Sequence, residues 1–132
     1  GAIYHETLES VMSVSDVLSV CCPASKETIN LINKKTIPLL PDGAIVTNVA
    51  RGDIVDDDAL IEALDSKKIS AVGLDVYKNE PKLNPGYLKH SKAFVLPHLG
   101  SATFETRTAM ANLAIDNISE FFEKGSCKNK VN

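Results

Sequence analysis

AIVTNVARGDIVDDDALIEAL, residues 44–64, reads as strand, turn and helix in immediate succession. Ala44 to Val49 is an apolar, β-branched run of strand length, introduced by the turn pair Asp42-Gly43. Asp56, Asp57 and Asp58 precede Ala59, Leu60, Ala63 and Leu64 at helical spacing, which predicts a helix over 56–66. Asp56 is the expected N-cap, and carboxylates in the first turn suit the positive end of the helix dipole. Lys67 and Lys68 suit the other end. Between strand and helix lies Ala50-Arg51-Gly52. In a parallel α/β sheet this junction falls beyond the carboxyl end of a strand, where ligands bind. Arg51 there is either a surface arginine on a connection or a planar fork able to grip a carboxylate.

Outward from this unit the pattern repeats. Val17 to Cys22 is a near-continuous apolar run closed by Pro23, the mark of a strand buried on both faces. Thr7 caps a short helix through Leu8, Val11 and Met12 ahead of it. Ser25 to Asn33 reads as a loop with one helical turn. Lys34 to Leu40 reads as a short helix capped by Asn33, although Pro38 removes a hydrogen bond. Downstream, Ile69 to Val76 holds a strand at 70–75, with Asp75 at its carboxyl end. Tyr77 to Lys92 is non-periodic, and loops beyond about 12 residues in compact domains are usually functional or disordered. Ala93 to Leu96 is a last strand, stopped by Pro97. Thr103 caps a final helix whose face is traced by Met110, Leu113, Ala114, Asn117, Ile118, Phe121 and Phe122, and Gly125 ends it. At about 1.5 Å per residue this helix is roughly 33 Å long, more than covering a sheet requires. Strands at 17–22, 44–49, 70–75 and 93–96 separated by helix-sized crossovers predict an α/β fold: a parallel, Rossmann-like sheet with helices on both faces.

Bulk properties narrow the function. A net charge of −3 with no basic cluster points away from nucleic acid. No apolar run reaches the roughly 18 residues of a membrane span. Cys21, Cys22 and Cys127 form neither a disulfide framework nor a zinc spacing, so they read as reduced thiols in a cytoplasmic protein, the first two packed in their strand. Asp56-Asp57-Asp58 has no histidine or second acidic cluster nearby, so no metal site is expected. His5 and His90 read as surface residues.

Each of the last three strands ends near a residue able to do chemistry: Arg51, then Asp75 with Glu80 five residues on, then His98. Parallel neighbours would bring all four to one sheet edge. His98 beside Glu80 would make an acid with a fixed tautomer and a raised pKa, and Arg51 would supply an anion clamp. Singly, His98 reads as a loop or capping residue, Glu80 as a solvated carboxylate and Asp75 as a turn cap. Together, an acid, an orienting carboxylate and an anion clamp suit reduction of a 2-keto acid by a hydride from a nicotinamide cofactor.

Four segments resemble the D-isomer-specific 2-hydroxyacid dehydrogenases. They are Ser15-Asp16 through Cys22-Pro23; Asn48-Val49-Ala50-Arg51-Gly52 with Ile54-Val55-Asp56; Gly73-Leu74-Asp75-Val76 with Glu80-Pro81; and Pro97-His98 with Gly100-Ser101-Ala102-Thr103. Gly1 to Leu8 and Asn84 to Leu88 are similar in wording to the glyoxylate/hydroxypyruvate reductase branch. The resemblance implies roles for individual residues. Arg51 would hold the carboxylate and keto oxygen of the substrate, His98 would be the proton donor, and Glu80 its paired carboxylate. Asp75 would meet the nicotinamide carboxamide of NAD or NADP. Pro23 and Thr28 would lie along the cofactor's phosphates and ribose, with Val49, Ala50 and Gly100 near the nicotinamide.

One departure matters: no G-x-G-x-x-G precedes Val17. The resemblance then implies that residues 1–102 are the C-terminal half of an NAD(P)-binding domain. Residues 103–132 would be a helix and tail leading back toward a substrate domain supplied by a missing N-terminal part of the same protein. It also implies a homodimer acting on a small 2-keto or 2-hydroxy acid, the chain alone being inactive. The rival reading is a non-catalytic, NAD(H)-sensing scaffold of corepressor type.

Overall fold

The computed structural model describes residues 1–131; Asn132, the end of the expected tail, lies outside the described residues. The chain divides into two compact units, Gly1–Pro97 and a second beginning at His98. In the first, helix α1 (Leu8–Met12) leads to β1 (Val17–Val20), β2 (Ala44–Asn48), helix α2 (Asp57–Asp65), β3 (Ile69–Leu74) and β4 (Ala93–Val95). The four strands form one sheet in the order β1-β2-β3-β4, every pair parallel.

Register and period two sort the sheet into rows. Leu18, Val46, Val72 and Ala93 stand side by side, as do Val20, Asn48, Leu74 and Val95. These rows share one core with Met12 of α1 and Ala59, Leu60, Ala63 and Leu64 of α2. Successive right-handed crossovers moving one way across a sheet all pass over the same face. The other face presents Val17, Ile45 and Phe94, the last 67% exposed.

This corrects the first strand. It ends at Val20 rather than Cys22, and its burial alternates, so among the described residues it is covered on one face rather than both. Cys21 is accordingly exposed and Cys22 half-buried. The second strand stops at Asn48, one residue short of Val49. The 34–40 helix shrinks to a 3₁₀ turn at Ile37–Leu39. Its N-cap is Thr36 rather than Asn33, which instead closes the turn before it, Oδ1 accepting from the Lys35 and Thr36 amides at 2.7 and 3.3 Å.

Helix α2 begins as its sequence dictates: Asp56 Oδ1 accepts from the Ala59 amide at 3.2 Å. The non-periodic 77–92 segment is not loose. Tyr87 is almost fully buried in a 3₁₀ turn at Pro85–Lys89, and its hydroxyl donates to Asp57 Oδ1 at 2.9 Å. Asn84 Nδ2 donates to Asp58 at 3.0 Å. His90, expected on the surface, has a side chain only 17% exposed, with Nε2 3.4 Å from Asp65. Packing of the 77–92 segment against α2 draws it inward.

The second unit is built on α3 (Phe104–Lys124), capped by Thr103, which accepts from the Thr106 amide at 3.2 Å, and ended at Gly125 with φ +73°. Residues after it fold back along the helix: the Lys128 amide donates to Glu120 at 2.9 Å and Asn129 to Asn117 at 3.1 Å. The Lys128 amide, with Lys124, holds the Glu120 carboxyl below its ordinary pKa. The predicted apolar face is present and exposed, Met110, Leu113, Ile118 and Phe121 each being about half accessible.

Candidate active site

Parallel strands put their carboxyl ends on one edge, so the residues after β1, β2 and β3 become neighbours there. The turn after β2 is built around Asn48, which is 1% exposed. Its Oδ1 accepts from the Ala50 amide at 3.0 Å and its Nδ2 donates to the Arg51 carbonyl at 2.9 Å. Arg51 is exposed, and its Nη1 donates to the Ala50 carbonyl at 2.6 Å. The guanidinium thus rests on a peptide that Asn48 fixes from both sides. Val49 stands 58% exposed, while Ala50 is buried.

Gly52 brings this turn onto the segment after β3. A β-carbon there would stand 2.1 Å from the Tyr77 carbonyl carbon and 2.5 Å from the Lys78 nitrogen, so only glycine fits. Tyr77 is buried, and its amide donates to Glu80 Oε1 at 3.1 Å, which fixes the Glu80 carboxylate relative to the same segment. The Asp75 amide donates to the Asn48 carbonyl at 3.0 Å, tying the end of β3 to the end of β2.

The segment after β1 is zipped to the far side of the turn. Asn30 and Ile32 amides donate to the Asp53 and Ile54 carbonyls at 2.8 and 3.1 Å, and the Asp56 amide returns to Ile32 at 2.9 Å. Within this segment Thr28 Oγ1 donates to the Pro23 carbonyl at 2.9 Å and accepts from the Ser25 amide at 2.7 Å. Ser25 also donates to Glu27 at 2.6 Å, which holds that carboxyl below its ordinary pKa.

Of the residues anticipated, then, Pro23, Thr28, Val49, Ala50, Arg51, Asp75 and Glu80 lie in one hydrogen-bonded set of connections within the first unit. β4 runs on through Leu96, whose amide donates to the Leu74 carbonyl at 2.8 Å, and Pro97 to His98. His98 and Gly100 belong to the second unit. His98 is exposed with φ +57°, a backbone state uncommon outside glycine that clusters at functional sites.

Sequence reasoning did not single out Asn48 or Tyr77. For Asn48 a signal existed, since period two from Ala44 and Val46 puts it on the buried face, where a polar residue needs partners. For Tyr77 none existed, because its contact with Gly52 joins segments far apart in sequence.

The residues present fit a nicotinamide dinucleotide in one respect the structure itself supplies. An apolar, accessible Val49 and the carboxylate-bearing Asp75 sit at the ends of adjacent strands, the pairing of wall and polar anchor that a flat carboxamide ring takes.

Comparisons with known proteins agree with this fold. The family described as D-isomer specific 2-hydroxyacid dehydrogenase, NAD binding domain, matches residues 1–100. A glycerate dehydrogenase of Hyphomicrobium methylovorum is 42% identical over 121 residues, covering 92% of this chain and 38% of that protein. The structure of an NADPH-dependent glyoxylate/hydroxypyruvate reductase from Sinorhizobium meliloti, in complex with NADP and malonate, matches with a TM-score of 0.91 and 35% identity, over 97% of this chain and 40% of that one. D-lactate dehydrogenase from Aquifex aeolicus, complexed with NAD and lactic acid, matches with a TM-score of 0.84 and 28% identity, over 100% and 46%. The chain therefore spans about two-fifths of the length of such relatives. With a parallel sheet, a glycine-flanked arginine turn and a family match over residues 1–100, the chain belongs to the D-isomer-specific 2-hydroxyacid dehydrogenases, as part of their NAD-binding domain.

Proposed function

We propose that the protein containing this chain is an NAD- or NADP-dependent reductase of small 2-keto acids, glyoxylate or hydroxypyruvate being the first substrates to test. The observation that carries this reading is the Arg51 turn, fixed by Asn48 and seated by Gly52 against the segment that bears Glu80. A guanidinium presented on a rigid turn is suited to hold a carboxylate through two parallel hydrogen bonds. The Sinorhizobium relative's complex with NADP and malonate pairs a nicotinamide cofactor with a small carboxylate.

In this reading Arg51 anchors the substrate carboxylate and polarises the keto oxygen. His98 gives that oxygen a proton, with Glu80 as its paired carboxylate. Asp75, Val49, Ala50 and Gly100 orient the nicotinamide, and Pro23 and Thr28 border the rest of the cofactor. When bound, the reduced nicotinamide supplies the hydride. The family match includes every one of these positions. The relatives above are enzymes, which favours turnover over the scaffold reading. Residues 1–102 serve as the second half of the nucleotide domain and residues 103–132 as the return toward a substrate domain, in a cytoplasmic homodimer.

The test is reduction of glyoxylate and hydroxypyruvate by full-length protein, followed with NADH and with NADPH. Turnover with either cofactor supports the proposal. Cofactor binding by fluorescence without turnover of any 2-keto acid favours the scaffold instead.

A further inference from the structure

We propose that Asn48 is the positioning residue for Arg51: one buried carboxamide grips both ends of the Ala50–Arg51 unit and so sets where the guanidinium starts from. This inference rests on the reading of Arg51 as the carboxylate anchor.

Asn48 stands in a sheet row with Val20, Leu74 and Val95, and it is the polar member of that row. A valine would complete the row equally well, so the carboxamide is not there for the sheet. Its side-chain oxygen and nitrogen both bond the turn instead, the acceptor to the Ala50 amide and the donor to the Arg51 carbonyl. The Ala50 carbonyl between them receives the Arg51 Nη1. The position thus demands a donor and an acceptor on one short planar head, buried at 1% exposure. Aspartate, of equal size, would turn an oxygen toward the Arg51 carbonyl oxygen and repel it. Alanine would leave a buried amide and a carbonyl without partners.

The cofactor side is held in part without that carboxamide. Asp75 is tied to residue 48 through the main chain, its amide donating to the Asn48 carbonyl. A side-chain change at 48 leaves that bond in place, so Asp75 keeps its position while Arg51 loses its own.

The experiment is a double-mutant cycle in the full-length protein, reading keto-acid kcat/KM, keto-acid KM and the NAD(H) Kd separately. For Asn48→Ala, kcat/KM is expected to fall about tenfold to a hundredfold through a raised KM, the scale of a small misplacement of a binding group. The NAD(H) Kd should rise by a smaller factor than the keto-acid KM, because Ala50 loses one bond while Asp75 keeps its own. Arg51→Ala should be severely impaired, and Asn48→Ala/Arg51→Ala no worse than Arg51→Ala, because Asn48 then has nothing left to position. Additive losses, or cofactor and substrate affinity falling by equal factors, overturn the inference and give Asn48 a general structural role. Where Asn48→Ala does not fold, Asn48→Asp, which keeps the volume and the acceptor, should show the same KM effect; parental kinetics in that variant, or failure of both to fold, also overturns it. Impairment in Arg51→Ala with Asn48→Ala unaffected sinks this inference alone. Unimpaired Arg51→Ala sinks the anchor reading and this inference with it.

Discussion

Gly52 and Tyr77 touch backbone to backbone: a β-carbon on Gly52 would lie 2.1 Å from the carbonyl carbon of Tyr77 and 2.2 Å from its oxygen. Neither partner can swing aside as a flexible side chain would. Gly52→Ala should therefore push the arginine turn away from the Glu80 segment, at the cost of about 1–3 kcal/mol typical of overpacking, or more. A lowered Tm together with a reduced kcat/KM is expected in the full-length protein. A Tm and rate equal to the parent's would show that the turn has room to move.

Arg51→Lys keeps the charge and loses the planar fork. A hydrogen bond to a charged group contributes about 1.5–3 kcal/mol, so one lost arm corresponds to roughly a tenfold to hundredfold fall in kcat/KM. Steady-state kinetics with glyoxylate would measure it. Unchanged kcat/KM would contradict a bidentate grip.

His98→Asn retains a polar side chain but cannot donate a proton to a developing alkoxide. General acid catalysis contributes about 10²–10⁴-fold, so kcat should fall in that range while NAD(H) affinity holds. Fluorescence titration beside the rate measurement separates the two. Loss of cofactor binding with kcat preserved would reassign His98 to the cofactor.

The Tyr87–Asp57 bond gives a pH-dependent prediction. Burial pushes the Asp57 carboxyl above its ordinary pKa, and the Tyr87 hydroxyl opposes that shift. A raised acid pKa means that the folded chain holds the proton more tightly than the unfolded one. The stability tied to that proton is full below the ordinary value of about 4 and is lost as pH climbs toward the raised folded value. Tyr87→Phe removes the bond that favours the carboxylate, so it should cost about 1.5–3 kcal/mol at neutral pH and less in acid. Thermal melts near pH 4 and near pH 7 read the difference. An equal drop in Tm at both would mean that the hydroxyl does not sense the charge on Asp57.

Much of the fold was legible because its signals are local. Asp56 and Thr103 cap their helices through bonds to amides three residues on, and Gly125 takes a left-handed φ just past the last turn. Strand positions followed from apolar runs between breakers. What failed was what depends on neighbours. Val17 to Cys22 looks like a strand covered on both sides, but Val17 and Cys21 are exposed, Val17 on the sheet face that also presents Ile45 and Phe94. Tyr77 and Tyr87 sit in a stretch without period and are nonetheless buried, because α2 and the Gly52 turn supply their surroundings.

The residues of the arginine turn, the caps and the alternation of strand with crossover are written in the order of the chain, since each is decided by bonds spanning a few residues. The grip of Asn48 on Arg51 is itself local, yet its rigidity comes from the sheet that buries it. The contact of Gly52 with Tyr77 and the zipping of residues 30–32 to 53–56 join segments separated in sequence. Only the folding of parallel strands onto one edge brings those segments together, and that juxtaposition is what turns an exposed arginine into a held one.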